Sequence, residues 1–372
     1  MSKHVLITGG AGFIGSHLAD ELLKHGYKVR ALDNLSPQVH GPDGKRPEYL
    51  SGDVELVIGD IRDREAVRRA LNGIDAVYHF AAAVGVGQSM YEIEKYADVN
   101  SRGTAVLLET LVERPVERFI VASSMSIYGE GLYYSTDGRV YAKAARTLDQ
   151  LKAGEWEIRN TGGDILIPIS TPETKTPSLN SVYALSKYDQ ERMCMMIGHA
   201  YSMPTVGLRF FNVFGTRQAS SNPYTGVLAI FASRLLNGQQ PLIYEDGYQQ
   251  RDFVSVYDVV HACRLVLEVP GAADRVFNIG SGYQYTIFEI AEHMANVFGR
   301  RHIQPRVTGK YRMGDIRHCF ADISLARQIL NYEPTVTLEE GLVELSEWFN
   351  GKVICDRFSE ACTELAGRGL TL

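Results

Sequence analysis

Tyr183 and Lys187 stand one helical turn apart in Tyr-Ala-Leu-Ser-Lys, a spacing that puts both side chains on one face of a helix. An ammonium beside a phenol, with a cationic ring close by, favours the phenolate and predicts a pKa brought down from about 10 towards neutrality. Tyr183 would then act as a general base at working pH. The bare pattern also occurs by chance on helix surfaces, so the functional reading rests on what precedes it. Ser123-Ser124-Met125-Ser126-Ile127-Tyr128-Gly129 follows an apolar run, which puts Ser124 at the carboxyl end of a strand, where open α/β sheets hold their ligands. There its hydroxyl would hydrogen-bond a reacting hydroxyl or ketone; a structural serine at a strand end is the plainer alternative.

Near the start, the apolar run from His4 to Thr8 leads into Gly9-Gly10-Ala11-Gly12-Phe13-Ile14-Gly15. Gly9, Gly12 and Gly15 have the spacing of a strand-to-helix turn that lets a pyrophosphate approach backbone amides at the helix N-terminus, with Phe13 and Ile14 as the first helical residues. Asp33, followed by Asn34, closes the second strand at the distance where a carboxylate meets an adenosine ribose. A carboxylate there binds a 2′-hydroxyl and repels a 2′-phosphate, so NAD is the expected cofactor. Asp60 and Ile61, after the third strand, are expected at the adenine edge. Phe80, Ala81 and Ala82, after the fourth, are expected beside the cofactor, although small residues there also serve packing.

These groups need a scaffold of alternating elements. Buried strands are predicted at Val5–Thr8, Val29–Asp33, Leu56–Gly59, Ala76–Phe80 and Arg118–Ser123, separated by helices at Phe13–His25, Asp63–Leu71 and Val99–Leu111. That order predicts a Rossmann-type, doubly wound parallel sheet with helices on both faces. Residues 129–177 break the rhythm and read as an insertion, with one short helix near Ala142–Leu151. A helix at Val182–Ala200, a strand at Thr205–Phe210 and shorter elements follow, ending in helices at Leu338–Phe349 and Arg357–Leu365. The expected organisation is an NAD-binding domain over residues 1–180, with the insert at about 133–172. Residues 181–372 would complete the sheet and form a smaller α/β substrate-binding lobe.

With 38 Lys+Arg against 44 Asp+Glu, the net charge of −6 gives no basis for nucleic-acid binding. No apolar stretch is long enough to span a bilayer, and the early apolar run leaves no room for a signal peptide, so a cytoplasmic location is expected. Cys194, Cys263, Cys319, Cys355 and Cys362 form no CxxC pair. No metal site is therefore expected, and inert thiols in a reducing compartment are the simpler reading.

Together, Thr8-Gly9-x-x-Gly12-x-x-Gly15, Ser123-Ser124-x-x-Ile127-Tyr128-Gly129 and Tyr183-x-x-x-Lys187 resemble the extended short-chain dehydrogenase/reductases, the nucleotide-sugar epimerases and dehydratases, over nearly the whole chain. The resemblance implies a homodimer, NAD, and a nucleotide-diphosphate sugar whose hydroxyl proton goes to Tyr183 while its hydride goes to NAD. Family dehydratases carry Asp-Glu directly after the catalytic Ser/Thr, and decarboxylases a Glu at the second position. Met125 and Ser126 stand here, and a neutral hydroxyl at the second position resembles the UDP-galactose 4-epimerases, which points to 4-epimerisation through a rotating 4-keto sugar. Epimerisation at C2 is also compatible with the architecture. The alternatives are a 4-ketoreductase and, from another class, a non-catalytic NAD(H)-binding regulator; such regulators lose the tyrosine or lysine that this chain keeps.

The resemblance also implies the substrate contacts. Asn212, in Arg-Phe-Phe-Asn-Val-Phe-Gly, matches the strand at the substrate phosphates, and Arg251 and Arg312 match the two arginines on the diphosphate. Tyr244 is expected against the base, with a core role equally open. Val84, Gln88 and Ser89 are expected to face the sugar with Ser124 and Ser126. A narrower likeness is to dTDP-L-rhamnose 4-epimerases, which share Ser-Ser-Met-Ser-Ile-Tyr-Gly-Glu-Gly, Tyr-Ala-Leu-Ser-Lys-x-x-Gln and the run over residues 221–228. UDP-glucose and UDP-glucuronate are the alternative substrates. Related inserts often carry cysteine pairs suggesting a zinc knuckle; Tyr133 to Pro172 has no cysteine.

Overall fold

The computed structural model describes residues 2–219, 224, 226–352, 356 and 358–371. Seven strands form one parallel sheet: β1 (His4–Thr8), β2 (Lys28–Asp33), β3 (Glu55–Ile58), β4 (Ala76–His79), β5 (Arg118–Ser124), β6 (Thr205–Phe210) and β7 (Arg275–Ile279). Their order is β7-β6-β5-β4-β1-β2-β3, so the direction of winding reverses between β1 and β4. That reversal opens the crevice in which such sheets bind ligands. The residues of β4 and β6 are buried throughout, as expected of central strands whose two faces are both covered.

Strand periodicity divides the core. Val5, Ile7, Tyr78, Ile120 and Leu208 face one side and pack with Leu18 and Leu22 of α1 (Phe13–Lys24). Leu6, Val77, Phe119 and Val121 face the other, against Val67 of α2 (Arg64–Ala70), Leu107 and Leu111 of α3 (Gly103–Glu113) and Cys194 of α4 (Val182–Ala200). Asp63 caps α2 by accepting from the Glu65 amide, and Ser181 caps α4 by accepting from the Ala184 amide. The helix predicted from Val99 begins differently: Ala97–Arg102 form a π-helical turn that runs into α3. Helix α5 (Val256–Glu268) lies on the α1 side, so the C-terminal half supplies β6, β7 and α5 to the sheet.

A second core joins Leu228, Phe231, Ile290, Met294, Leu342 and Phe349. They come from the helices Val227–Leu236, Ile287–Val297 and Leu338–Phe349, the last two opened by capping boxes. The final helix is Phe358–Gly367; Arg357, where the sequence placed its start, and Cys355 lie outside the described residues, as do positions 221–223 and 225 of the shared run. The insertion is more ordered than its composition suggests. Leu132–Tyr134, Val140–Tyr141 and Ile167–Ile169 form a three-stranded antiparallel sheet, with Tyr133, Ile158 and Leu166 as a small core. Its helix is confined to Leu148–Lys152, because Thr147 caps it by accepting from the Gln150 amide and Arg146, just before, turns inward.

Arg209 on β6 locks the sheet to the helix covering it, its fork meeting Glu191 of α4 at 2.9 and 2.7 Å. A further N–H donates to the Tyr128 hydroxyl at 2.8 Å. Arg209→Met leaves Glu191, 1% exposed, without its partner, and a loss of about 3–5 kcal/mol in unfolding free energy is expected. Urea unfolding measures it, and a loss below about 1 kcal/mol, the worth of a surface pair, contradicts the lock.

Candidate active site

The glycine turn is built by backbone touching backbone. Gly9 has φ +72°, and a Cβ there would stand 2.9 Å from the Ala81 amide; a Cβ on Gly15 would stand 2.3 Å from the Gly9 carbonyl. Gly12 precedes α1 without a side-chain cap, which leaves the first turn open to a diphosphate. Asp33 is buried, its carboxylate accepting from the Ala11 amide at 3.0 Å and the Leu35 amide at 2.9 Å. It therefore ties the glycine turn to the end of β2 at the crevice. These residues fit a dinucleotide.

At the expected adenine edge the side chains are bonded to one another. Arg62 grips Asp60 through Nε at 2.8 Å and a terminal N–H at 2.7 Å, and Asn34 donates to it at 3.0 Å. Arg62 holds the Asp60 carboxyl far below the usual carboxylate range. Asp60 and Asn34 thus fix the loop as a group, and Ile61 is buried beneath Gly103. Phe80, Ala81 and Ala82 are half-buried past β4, with the Ala81 amide donating to Thr8 Oγ1 at 3.2 Å.

Ser124 ends β5 and stands close enough to the Tyr183 phenol on α4 to act on its proton affinity. Burial raises the phenol above its ordinary pKa, and the Ser124 hydroxyl only partly offsets this. The sequence expectation of a lowered phenol counts on a cationic ring as well as on Lys187, and burial by itself acts in the opposite direction. Lys187 Nζ donates to Gln190 Oε1 at 2.7 Å, and burial pushes the ammonium down to about 8. Gln190 Nε2 reaches Thr104 Oγ1 at 2.9 Å and His79 Nε2 at 3.1 Å, and His79 Nδ1 lies 2.9 Å from Thr8 Oγ1. A polar network therefore runs through the core from Lys187 to the foot of the glycine turn. His79, pushed down to about 3 by burial and the Lys187 charge, is neutral.

Asn100 escaped the sequence analysis. The π-helical turn directs it inward, where its carboxamide pairs with both the amide (2.7 Å) and carbonyl (3.1 Å) of Ala83 and donates to Ser186 Oγ at 2.9 Å. An asparagine in a helical run was its only signal.

The candidate substrate residues separate into two kinds. Asn212 Oδ1 and Arg312 Nε are buried without a hydrogen-bond partner among the described residues, as groups awaiting a ligand would be. Arg312 also pairs with Asp315 at 2.8 Å. The others are already engaged. Ser89 Oγ accepts from the Tyr183 amide at 3.0 Å, so it seats the tyrosine; Gln88 donates to Glu92 at 3.2 Å; and the Tyr244 hydroxyl meets Cys362 Sγ at 3.4 Å. Arg251 donates to the carbonyls of Gln250 and Arg317 at 2.9 and 3.0 Å, and to that of Ile316. In this structure its fork braces the turn after Arg312. Ser126 donates its amide to Ser124 Oγ at 3.1 Å, and Val84 is exposed. Burial raises the thiols of Cys194 and Cys263 and pushes Cys319 up to about 12, so all three are inert.

The family profile described as "NAD dependent epimerase/dehydratase family" matches residues 5–150 and 161–280. The chain belongs to this family. A dTDP-L-rhamnose 4-epimerase of Burkholderia thailandensis is 36% identical over 351 residues, 93% of this chain and 94% of the relative. Two solved structures superpose with TM-scores of 0.74. The Thermotoga maritima UDP-glucose 4-epimerase with UDP-glucose is 32% identical, with 93% of this chain and 98% of that one covered. The Thermus thermophilus UDP-glucose 4-epimerase with NAD is 31% identical, with coverages of 94% and 100%. As a member of this family, the protein is an NAD-dependent enzyme.

Two outcomes are expected. Gly15→Ala forces the turn off α1, and NAD retained through purification, read from the absorbance of the extracted nucleotide, should fall to a small fraction of the wild-type content; full retention contradicts the geometry. Lys187 binds its proton less tightly when folded (about 8 against an ordinary 10.5), so between those values the unfolded chain holds more protons and stability rises with pH. Relative to Lys187→Met, the wild type should gain up to about 1.4 kcal/mol per pH unit there. Urea unfolding at about pH 8 and 10 measures this, and a constant difference contradicts a buried ammonium.

Proposed function

We propose that the protein is a nucleotide-diphosphate-sugar 4-epimerase acting by transient oxidation at C4, with dTDP-L-rhamnose as substrate and UDP-glucose and UDP-glucuronate as the alternatives. One observation carries this: the Tyr183 phenol stands beside Ser124, whose hydroxyl lowers its pKa against burial, while the two positions after Ser124 are Met125 and Ser126. The site thus holds one base for a hydroxyl proton and, at those positions, no carboxyl group for dehydration or decarboxylation.

The reading assigns NAD to the glycine turn, Asp33 and the end of β4. Bound NAD supplies the hydride acceptor and donor and a positive ring beside the phenol. Tyr183 takes the C4 hydroxyl proton, Ser124 steadies that oxygen, and Lys187 adds positive charge that favours the phenolate. Asn212 and Arg312 hold the diphosphate while the 4-keto sugar turns, and Tyr183 returns the proton as hydride re-enters on the other face. The preference for dTDP-L-rhamnose is supported by the Burkholderia relative and the Ser-Ser-Met-Ser-Ile-Tyr-Gly-Glu-Gly strand end. A homodimer is supported by Leu185 and Met196, exposed three turns apart on α4. A cytoplasmic location accords with nucleotide sugars as substrates.

Incubation with dTDP-L-rhamnose, UDP-glucose or UDP-glucuronate without added reductant, followed by NMR, should show the C4 epimer of one of them and no net NADH. A stable keto product, or turnover only with added NAD(P)H, contradicts the proposal. Tyr183→Phe should lower kcat by about 10²–10⁴-fold with bound NAD retained.

A further inference from the structure

The insertion delivers charge into the substrate lobe. Arg146 has a side chain only 4% exposed, and its guanidinium meets Glu245 at 2.7 Å, Glu130 at 3.4 Å and the Asp315 carbonyl at 3.2 Å. Arg317, fully buried, meets the same Glu245 at 3.0 Å, Asp246 at 2.6 Å and Glu157 at 3.2 Å. Glu130 closes the ring by accepting the amides of Arg317 and His318. Glu130, Arg146 and Glu157 thus interlock with two turns of the substrate lobe, Tyr244-Glu245-Asp246 and Arg312 to Arg317.

Those turns carry Tyr244 and Arg312, the candidate contacts for base and diphosphate. Glu245 sits at φ +52°, a left-handed conformation costly for a residue with a Cβ. Its amide donates to the Lys310 carbonyl at 2.7 Å and its carboxylate is held by Arg146 and Arg317. The Arg146 fork is the bridge, one N–H on the carboxylate after Tyr244 and another on the backbone after Arg312. A planar guanidinium can span both; a point-charge ammonium cannot.

We propose that Arg146 is a positioning residue for nucleotide recognition, and that the insertion serves to hold the Tyr244 and Arg312 turns at a fixed separation. The proposal rests on the nucleotide-diphosphate-sugar reading above. The insertion is fastened by buried ion pairs, with Glu130, Glu157, Glu245 and Asp246 around the Arg146 and Arg317 forks.

The test is calorimetric titration of wild type, Arg146→Met and Arg146→Lys with UDP and with dTDP, alongside retained NAD, thermal unfolding, and kcat and KM on the active sugar. Arg146→Met should weaken nucleotide binding and raise KM by about tenfold, with kcat within about twofold and retained NAD unchanged. If that variant does not fold, Arg146→Lys carries the test, with an expected weakening of about threefold. A lowered unfolding temperature with unchanged nucleotide affinity in the folded variant overturns the positioning role and leaves Arg146 purely structural. Wild type binding neither UDP nor dTDP instead overturns the nucleotide-sugar reading itself.

Discussion

An ammonium enclosed in protein must be held by fixed dipoles or it gives up its proton. Lys187, 3% exposed, is in that position, and much of the surrounding structure serves it. Gln190 accepts a hydrogen bond from it, Thr104 and His79 orient Gln190, and Thr8 meets His79 at the foot of the glycine turn. Each is delivered by a separate sheet element or covering helix, so the parallel order β5-β4-β1 is what brings them into reach. Desolvation acts on the neighbouring phenol in the opposite sense, favouring its neutral form. Positive charge near Tyr183 is therefore needed to form the base, which makes proton removal dependent on a loaded site.

The crevice follows from the same constraint. Gly9 and Gly15 let α1 and the end of β4 approach until backbone meets backbone, and Asp33 pins that turn by its own amide contacts. The rigid side of the site is thus the dinucleotide side. Across it, Asn212 Oδ1 and Arg312 Nε are buried without a hydrogen-bond partner among the described residues, and Arg146 of the insertion donates to the backbone just after Arg312. Firm contact on the diphosphate with freedom for the sugar is the division that rotation of a keto intermediate requires.

The sheet and its five N-terminal strands were legible because each apolar run is bounded by polar or glycine-rich segments, and the placing of Ser124 at a strand end and of Tyr183 and Lys187 on one helix followed from the same runs and spacing. What was not legible depends on depth or on distant partners. The direction in which Tyr183 shifts depends on burial, which spacing does not encode. Asn100 faces inward only because of a π-helical turn. The partners that Asp60 and Arg251 find within the protein, Arg62 and a run of backbone carbonyls, were not readable from spacing. The insertion read as irregular because its strands are only two or three residues long and its buried Arg146 side chain finds its partner, Glu245, 99 residues away. Composition alone showed charged residues there and no partners for them.

The central claim is that hydride leaves C4 and returns to C4 within one bound complex, with Tyr183 handling only the hydroxyl proton. The most direct measurement follows a nucleotide sugar deuterated at C4, dTDP-L-rhamnose first, through turnover in ordinary water by NMR. The account predicts that the deuterium stays at C4 in the epimer, with no solvent hydrogen entering there. Washout of the label into solvent, or its appearance on a neighbouring carbon, would contradict it.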